Sequence, residues 1–258
     1  MVDAQFAHPR LAQLYDPLEA GRPDLDVYAA MAGEFAAHSV LDVGCGTGTF
    51  ACMLAEDGHA VIGVDPAAAS LAIARGKPGA DRVRWIHGYA TDLPTLHVDL
   101  ITMTGNVAQV FRTDADWAAT LRATHAALRP GGRLVFETRD PAARAWESWN
   151  RAATYEQASV PGIGELAHWG EVTRVDGAFV TFRHVFLFAS DGARLVSEST
   201  LRFRTREEVT TSLADCGFEV AEVRDAPDRP GKEMVFIARR AAGQPGERRR
   251  SGVAQARA

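Results

Sequence analysis

The sequence predicts an α/β fold: a mostly parallel sheet with helices on both faces, and an antiparallel β meander inserted after the fifth strand. Three observations carry this expectation. From Ser39 onward short apolar runs alternate with helical stretches, a turn with three alternating glycines joins the first run to its helix, and after Asp140 and Pro141 the rhythm changes to strand-like runs separated by Asp-Gly pairs. Strand and helix in alternation give β-α-β units and a parallel sheet, whereas Asp-Gly turns give hairpins.

Taken in order, residues 10–15 and 25–37 carry apolar side chains at helical spacing around Pro17, Gly21 and Pro23. Strands are predicted at 40–43, 60–64, 83–87, 100–103 and 133–137, with helices at 49–56, 68–75 and 117–128, the last stopped by Pro130, Gly131 and Gly132. The meander comprises strands at 171–175, 178–188 and 194–203, turning at Asp176-Gly177 and Asp191-Gly192. A helix at 206–216 follows, with Thr205 as N-cap and Glu208 closing a capping box, and strands at 218–223 and 234–238 are placed to return to the main sheet. The expected division is a helical segment (1–38), a core (39–140, resumed at 205–240), the inserted meander (141–204) and a disordered tail (241–258) rich in Gly, Pro, Gln and Arg. The run from Arg248 to Arg250 reads as a solvated charge cluster.

A chain of 258 residues with 47% hydrophobic side chains can bury one substantial core. Its net charge of -5 gives no bias toward phosphate backbones, so nucleic acid is not an expected partner. The first residues lack the apolar core of a secretory signal, and no apolar run approaches the roughly 18 residues of a membrane span. A soluble, cytoplasmic protein without membrane partners is expected. Cys45, Cys52 and Cys216 have no metal-binding spacing and read as small buried thiols, so no metal is expected.

The segment Leu41-Asp42-Val43-Gly44-Cys45-Gly46-Thr47-Gly48 puts an acid near the end of a strand and glycines in the turn beyond it. Glycines there permit positive φ and let a ligand approach the backbone. A dinucleotide fingerprint, G-x-G-x-x-G, would need glycine where Thr49 stands. The carboxylate of Asp42 would repel a pyrophosphate but attract an ammonium or sulfonium. Asp65 ends the second strand, where a carboxylate can accept hydrogen bonds from both hydroxyls of a ribose. The expected ligand therefore has a ribose and a cationic end, and a nucleotide-dependent oxidoreductase becomes the weaker alternative.

Over residues 40–134 the sequence resembles the class I S-adenosylmethionine (SAM)-dependent methyltransferase superfamily, with its Rossmann-like core. The Asp42 to Gly48 stretch resembles the first motif, Val64-Asp65-Pro66 the ribose motif, and Leu128-Arg129-Pro130-Gly131-Gly132-Arg133-Leu134 the turn before the fifth strand. The resemblance implies that Gly44 and Gly46 lie against the methionine moiety, that Asp42 orients its amino group directly or through water, and that Asp65, followed by Pro66, holds the ribose. It places residues 88–94 on the adenine motif, with Tyr89 against the ring and Ala90 and Thr91 beside it. The family commonly has an acid where this chain has Tyr89; Asp92 either supplies that acceptor or caps a local turn. Tyr15 lies in a region that in similar methyltransferases folds over the cofactor as a lid, and is either a lid residue or core packing. Arg22 is a candidate for the cofactor carboxylate.

The implied activity is methyl transfer to a small molecule, leaving S-adenosylhomocysteine (SAH), with a non-catalytic SAM-binding protein as the alternative from another class. Thr104 and Asn106, after the fourth strand, line the methyl-transfer region, or Asn106 caps the following turn. The meander is the expected substrate cover, since the shared core does not itself specify an acceptor. Alternation puts Phe182, His184, Phe186 and Phe188 on one side, so His184 serves as a base or acceptor-binding group, or as a hydrogen-bonded structural histidine. His168 and Trp169 form a pocket wall or pack in the core. Arg139 receives a substrate carboxylate or phosphate, or pairs with Glu137 or Asp140. Oxygen, nitrogen and carbon acceptors all stay open.

Overall fold

The computed structural model describes residues 2–19 and 21–241, so the predicted tail lies almost wholly outside the described residues. Three single turns open the chain, α1 (Ala4–Ala7), α2 (Pro9–Ala12) and α3 (Tyr15–Leu18), followed by α4 (Asp24–Glu34). The helix expected at 10–15 is therefore two short turns, and α4 ends earlier than predicted because Ala36 takes a left-handed conformation, φ 48°. Next come β1 (Ser39–Val43), α5 (Thr49–Glu56), β2 (Ala60–Asp65), α6 (Ala68–Ala74), β3 (Val83–His87), β4 (Val98–Met103), α7 (Asp114–Ala127) and β5 (Leu128–Arg139). The single turn α8 (Arg151–Thr154) leads into β6 (Glu156–Val160), β7 (Gly164–Asp176), β8 (Phe179–Phe188) and β9 (Arg194–Arg202), before α9 (Arg206–Asp215), β10 (Phe218–Asp225) and β11 (Glu233–Arg240).

Seven strands form the main sheet in the order β10-β11-β5-β4-β1-β2-β3. Pairs from β5 to β3 are parallel, while β11 pairs antiparallel with β5 and β10 with β11, as expected for two strands returning to the sheet. Strand alternation separates two apolar layers. Val40, Val61, Leu100 and Val135 pack with α4 and α5 on one face, whereas Leu41, Ile101, Leu134 and Phe136 pack with α7 and α9 on the other. Thr205 caps α9 and Glu208 closes the predicted capping box. The Pro130-Gly131-Gly132 turn does not stop α7, which ends at Ala127; it forms an irregularity inside β5, where the register with β4 shifts and Gly131 has φ 81°.

The expected three-stranded meander is a four-stranded antiparallel sheet, β6-β7-β8-β9. Its β7 starts at Gly164, earlier than predicted, and β6 was not anticipated. Residues 3–14 lie across one face of this sheet. Leu11 and Leu14 join Val160, Leu166, Phe186 and Phe188 in an apolar cluster, and Asp3 and Gln5 bond to Ser199 and Ser197. Phe6 meanwhile accepts a hydrogen bond from Ser70 of α6, so the N-terminal turns touch both sheets. Among the described residues no helix is long and apolar enough to cross a membrane.

Candidate active site

The turn after β1 is built from its glycines. Gly44, Gly46 and Gly48 have φ of 73°, 54° and 78°, a region that an L-side chain enters only with strain. Their surroundings differ. A Cβ on Gly44 would lie 2.6 Å from Val107, and one on Gly48 would lie 2.5 Å from Trp85, so both positions are closed by packing. A Cβ on Gly46 would meet nothing within 4 Å, so its Cα faces open space. The three cysteines are buried and free, as the sequence suggested.

Two carboxylates flank this turn. Asp42 is 1% exposed and accepts a hydrogen bond from Thr102 Oγ1 at 3.0 Å; burial pushes its carboxyl up to about 7. Asp65 accepts from the backbone N–H of Gly46 (2.8 Å) and of Ala67 (2.7 Å), one on each oxygen. Each carboxylate oxygen has a second lone pair, so Asp65 fixes the turn and can still accept from a ligand. Burial raises its carboxyl while the two backbone N–H groups oppose the rise. Pro66 follows, half-buried, its carbonyl 3.1 Å from His87 Nε2.

At the end of β3, Tyr89 is 51% exposed, Ala90 is buried and Thr91 is exposed. Asp92 caps the short turn here, its Oδ2 accepting from the Tyr89 N–H at 2.8 Å. Beyond β4, Thr104 is half-buried and Gly105 and Asn106 both have positive φ, 76° and 62°. Asn106 is buried; its N–H donates to Glu137 Oε1 at 2.6 Å and its Nδ2 to Glu233 Oε1 at 3.1 Å. It thus fixes the loop to β5 and β11 rather than capping a turn through its side chain.

Next to Asn106 lies a cavity of about 110 Å³ bounded by Tyr15, Arg22, Tyr28, Glu137 and Arg139. Tyr15 and Arg22 come from the N-terminal segment, and Arg22 pairs with Asp24 at 2.6 Å. Arg139 does not pair with Glu137 or Asp140: its Nη1 donates to Gln109 at 2.9 Å, its Nε lies 3.5 Å from Glu233, and its guanidinium sits over Trp149. A larger groove of about 590 Å³ between α7 and α9 lies on the opposite face of the main sheet from Asp42, and its charged walls carry both signs.

In the second sheet, His184 is held by Gln5, with Nδ1 2.7 Å from Oε1, and burial pushes it down to about 4. It is neutral and braces the N-terminal turns. His168 stacks on Phe186 and lies 3.6 Å from Glu156. Trp169 points to the other face of the strand, under the guanidinium of Arg151 at 4.3 Å, so the two residues do not share a wall.

Sequence reading missed Glu137, Glu233, Tyr28 and the role of Asp16. The last accepts the Thr47 hydroxyl and pairs with Lys77, tying α3 to the glycine turn. For Glu137 a signal was present: it continues the inward alternation of Val135, directly after the apolar run Leu134-Val135-Phe136.

A family model described as a methyltransferase domain matches residues 40–132. The chain is 32% identical over 195 residues to a demethylmenaquinone methyltransferase of Thermus thermophilus, covering 74% of this chain and 78% of that one. It is 31% identical over 145 residues to a ubiquinone/menaquinone biosynthesis C-methyltransferase of Rubrivivax gelatinosus, covering 55% of this chain and about half, 53%, of that relative. Among solved structures it is similar to CalS10 of Micromonospora echinaspora, an amino pentose methyltransferase with SAM bound, at 25% identity and a TM-score of 0.67, covering 86% of this chain and 93% of that one.

Proposed function

The chain belongs to the class I SAM-dependent methyltransferases, and from that premise we propose that it passes a methyl group, by in-line displacement, to an oxygen or nitrogen of a small molecule. Its cofactor is SAM, which supplies a methyl group on a sulfonium that is already a good leaving group. The protein's tasks are then to hold that cofactor, align the acceptor and exclude water.

The observation that carries the reading is the pairing of open backbone at Gly46 with the buried carboxylates Asp42 and Asp65 on either side. A cationic ligand with a ribose fits that donor and acceptor set, since Asp42 is a buried acid that has no salt-bridge partner among the described residues and Asp65 retains lone pairs. Gly44 and Gly46 border the methionine end, with Asp42 toward its ammonium. Asp65 and Pro66 take the ribose, Tyr89, Ala90 and Thr91 the adenine, and Thr104 and Asn106 the region of transfer. Tyr15 closes over the site as part of a helical lid spanning 1–38. The segment 141–204 covers the acceptor, with Arg139 and His168 toward it; His184 shares the face of His168 and braces the N-terminal turns, and Trp169 supports the sheet from its other face. The similarity to a demethylmenaquinone methyltransferase and to an amino pentose methyltransferase supports a small acceptor, as does the cavity of about 110 Å³ beside Asn106.

The test is calorimetric titration of cofactor-free protein with SAM, and with NADH as comparison. One-to-one binding of SAM alone is expected, followed by SAH formation with a small-molecule acceptor. Binding of NADH alone would overturn the cofactor assignment, and tight SAM binding with no turnover over a broad acceptor panel would point to a non-catalytic binding protein.

A further inference from the structure

The cavity beside Asn106 is lined by an acid, one of whose two oxygens is left without a hydrogen-bond partner. Glu137 is 4% exposed; its Oε1 accepts the Asn106 N–H, but its Oε2 is buried without a hydrogen-bond partner. The Tyr28 hydroxyl lies close enough to this carboxyl to hold it down, but it brings no charge, and Oε2 stays without a hydrogen-bond partner. The nearby cations are committed elsewhere. Arg229 reaches Glu233 Oε1 at 2.7 Å, Arg139 lies 3.5 Å from the same oxygen, and Asn106 Nδ2 donates to it as well. Glu233 is thus a satisfied structural acid, whereas Glu137, among the described residues, has no arginine, lysine or histidine within salt-bridge distance. Burial pushes its carboxyl up to about 7, so near neutral pH it exchanges a proton readily.

A buried acid left with a bare oxygen in a cavity wall is costly unless a ligand completes it. Two cationic ligand groups compete for that role: the amino group of the cofactor and an amino group of the acceptor. Position separates them. Asp42 already stands beside the glycine turn on β1, and Glu137 lies two strands away on β5, about 10 Å by the spacing of a sheet. Between them is the loop of Thr104 to Asn106, and beyond Glu137 are Arg139 and Trp149 of the acceptor side. A phenol or alcohol would bring no charge to offset the carboxylate, whereas an ammonium would.

Building on the methyltransferase reading, we propose that Glu137 is a catalytic residue that binds the protonated amino group of the acceptor and takes its proton, so that the acceptor is a primary or secondary amine. In that step an N–H bond breaks and an O–H bond forms on Glu137 Oε2. The electron pair left on nitrogen then forms the new C–N bond as the C–S bond of the sulfonium breaks, its pair remaining on sulfur. The methylated product leaves as an ammonium, and Glu137 returns its proton to solvent.

SAH and sinefungin test this without an identified acceptor. Sinefungin carries a protonated amine where SAM carries its methyl sulfonium and is otherwise close to SAH, so it presents an ammonium at the point of transfer. The wild-type protein is expected to bind sinefungin at least tenfold more tightly than SAH, measured by calorimetry. In Glu137→Gln, which keeps an oxygen for the Asn106 N–H, that ratio should fall to about twofold or less while the SAH affinity stays within twofold of wild type. A wild-type ratio near one overturns the proposal whatever the variant does. Equal weakening of both ligands would move Glu137 to the shared part of the cofactor and overturn it as well. Failure of the wild type to bind either ligand would instead defeat the underlying cofactor assignment.

Discussion

Asp16 accepts the hydroxyl of Thr47 at 2.6 Å, so a residue of the N-terminal turn α3 is bonded to a side chain inside the glycine-rich turn after β1. The same Oδ1 takes the Thr49 hydroxyl at 3.2 Å, and Oδ2 pairs with Lys77 of the segment after α6 at 2.7 Å. Tyr15, the proposed lid residue, is the immediate neighbour of this contact. Opening of the proposed lid would therefore break a charged network that holds the turn itself.

Asp16→Ala is expected to leave the fold intact and to speed SAH dissociation about fivefold. A charged hydrogen bond contributes roughly 1.5 to 3 kcal/mol, and partial solvent exposure of Asp16 and Lys77 reduces this to about 1 kcal/mol. Stopped-flow displacement of SAH reads the rate directly. A lower melting temperature with an unchanged off-rate would confine Asp16 to stability.

Asp42 is expected to make cofactor binding depend on pH. Its carboxyl is raised by burial to about 7, so in the free protein it takes up a proton that it would lack when unfolded. This contribution to stability is present at low pH and is lost as pH rises from about 4 through 7. A cationic ligand reverses the preference by favouring the carboxylate, so SAM affinity should increase from pH 5.5 to 7.5 and binding should release protons. Calorimetry in buffers of different ionisation enthalpy should find up to one proton released near pH 6.5. Asp42→Asn should abolish most of that release and flatten the affinity profile; an unchanged release would assign the proton elsewhere.

The fold was legible where one local signal sufficed. The capping box of Thr205 and Glu208, the Asp-Gly turns and the strand-turn-helix around Gly44 to Gly48 each lie within a few residues, and each formed as read. Strand β6 was not legible because four of its five residues, Glu156 to Ser159, are not buried and carry no apolar alternation; pairing with β7 defines it. Pro130 to Gly132 read as a helix stop because sequence cannot distinguish a turn outside a strand from a bulge inside one. The cofactor side could be proposed from contiguous motifs. The acceptor side could not, since Asn106, Glu137 and Glu233 meet across separations of 31 and 127 residues.

His184 is expected to act through the N-terminal turns rather than through proton transfer. Its ring bonds Gln5, and Gly170 leaves room for it, because a Cβ there would lie 2.7 Å from Nε2. A histidine lowered to about 4 is a weak base at neutral pH. His184→Ala and Gln5→Ala should each cost about 1 kcal/mol, lowering the melting temperature by roughly 2 to 4 °C in a chain of this size. The double variant should lose less than the sum of the two, since both remove one bond. Full additivity would show that the pair does not act as a unit, and a large loss of turnover at unchanged stability would return His184 to the chemistry.

Gly46 separates the needs of the ligand from the needs of the fold. Its φ of 54° makes alanine strained, at about 1 to 2 kcal/mol, but a Cβ there would touch no protein atom within 4 Å. Gly48→Ala, by contrast, drives a methyl against Trp85 at 2.5 Å and Ala74 at 2.8 Å, so that packing there must shift. Gly46→Ala should therefore fold and melt only a few degrees below wild type, yet bind SAM at least tenfold more weakly, because the methyl occupies the space through which the cofactor would approach the backbone. Gly48→Ala should lose stability first, with its effect on SAM following from that loss. Thermal melts and SAM titrations on both variants distinguish the two positions. Wild-type SAM affinity in a folded Gly46→Ala protein would mean that the ligand does not approach the turn at that residue, and would withdraw Gly46 from the site.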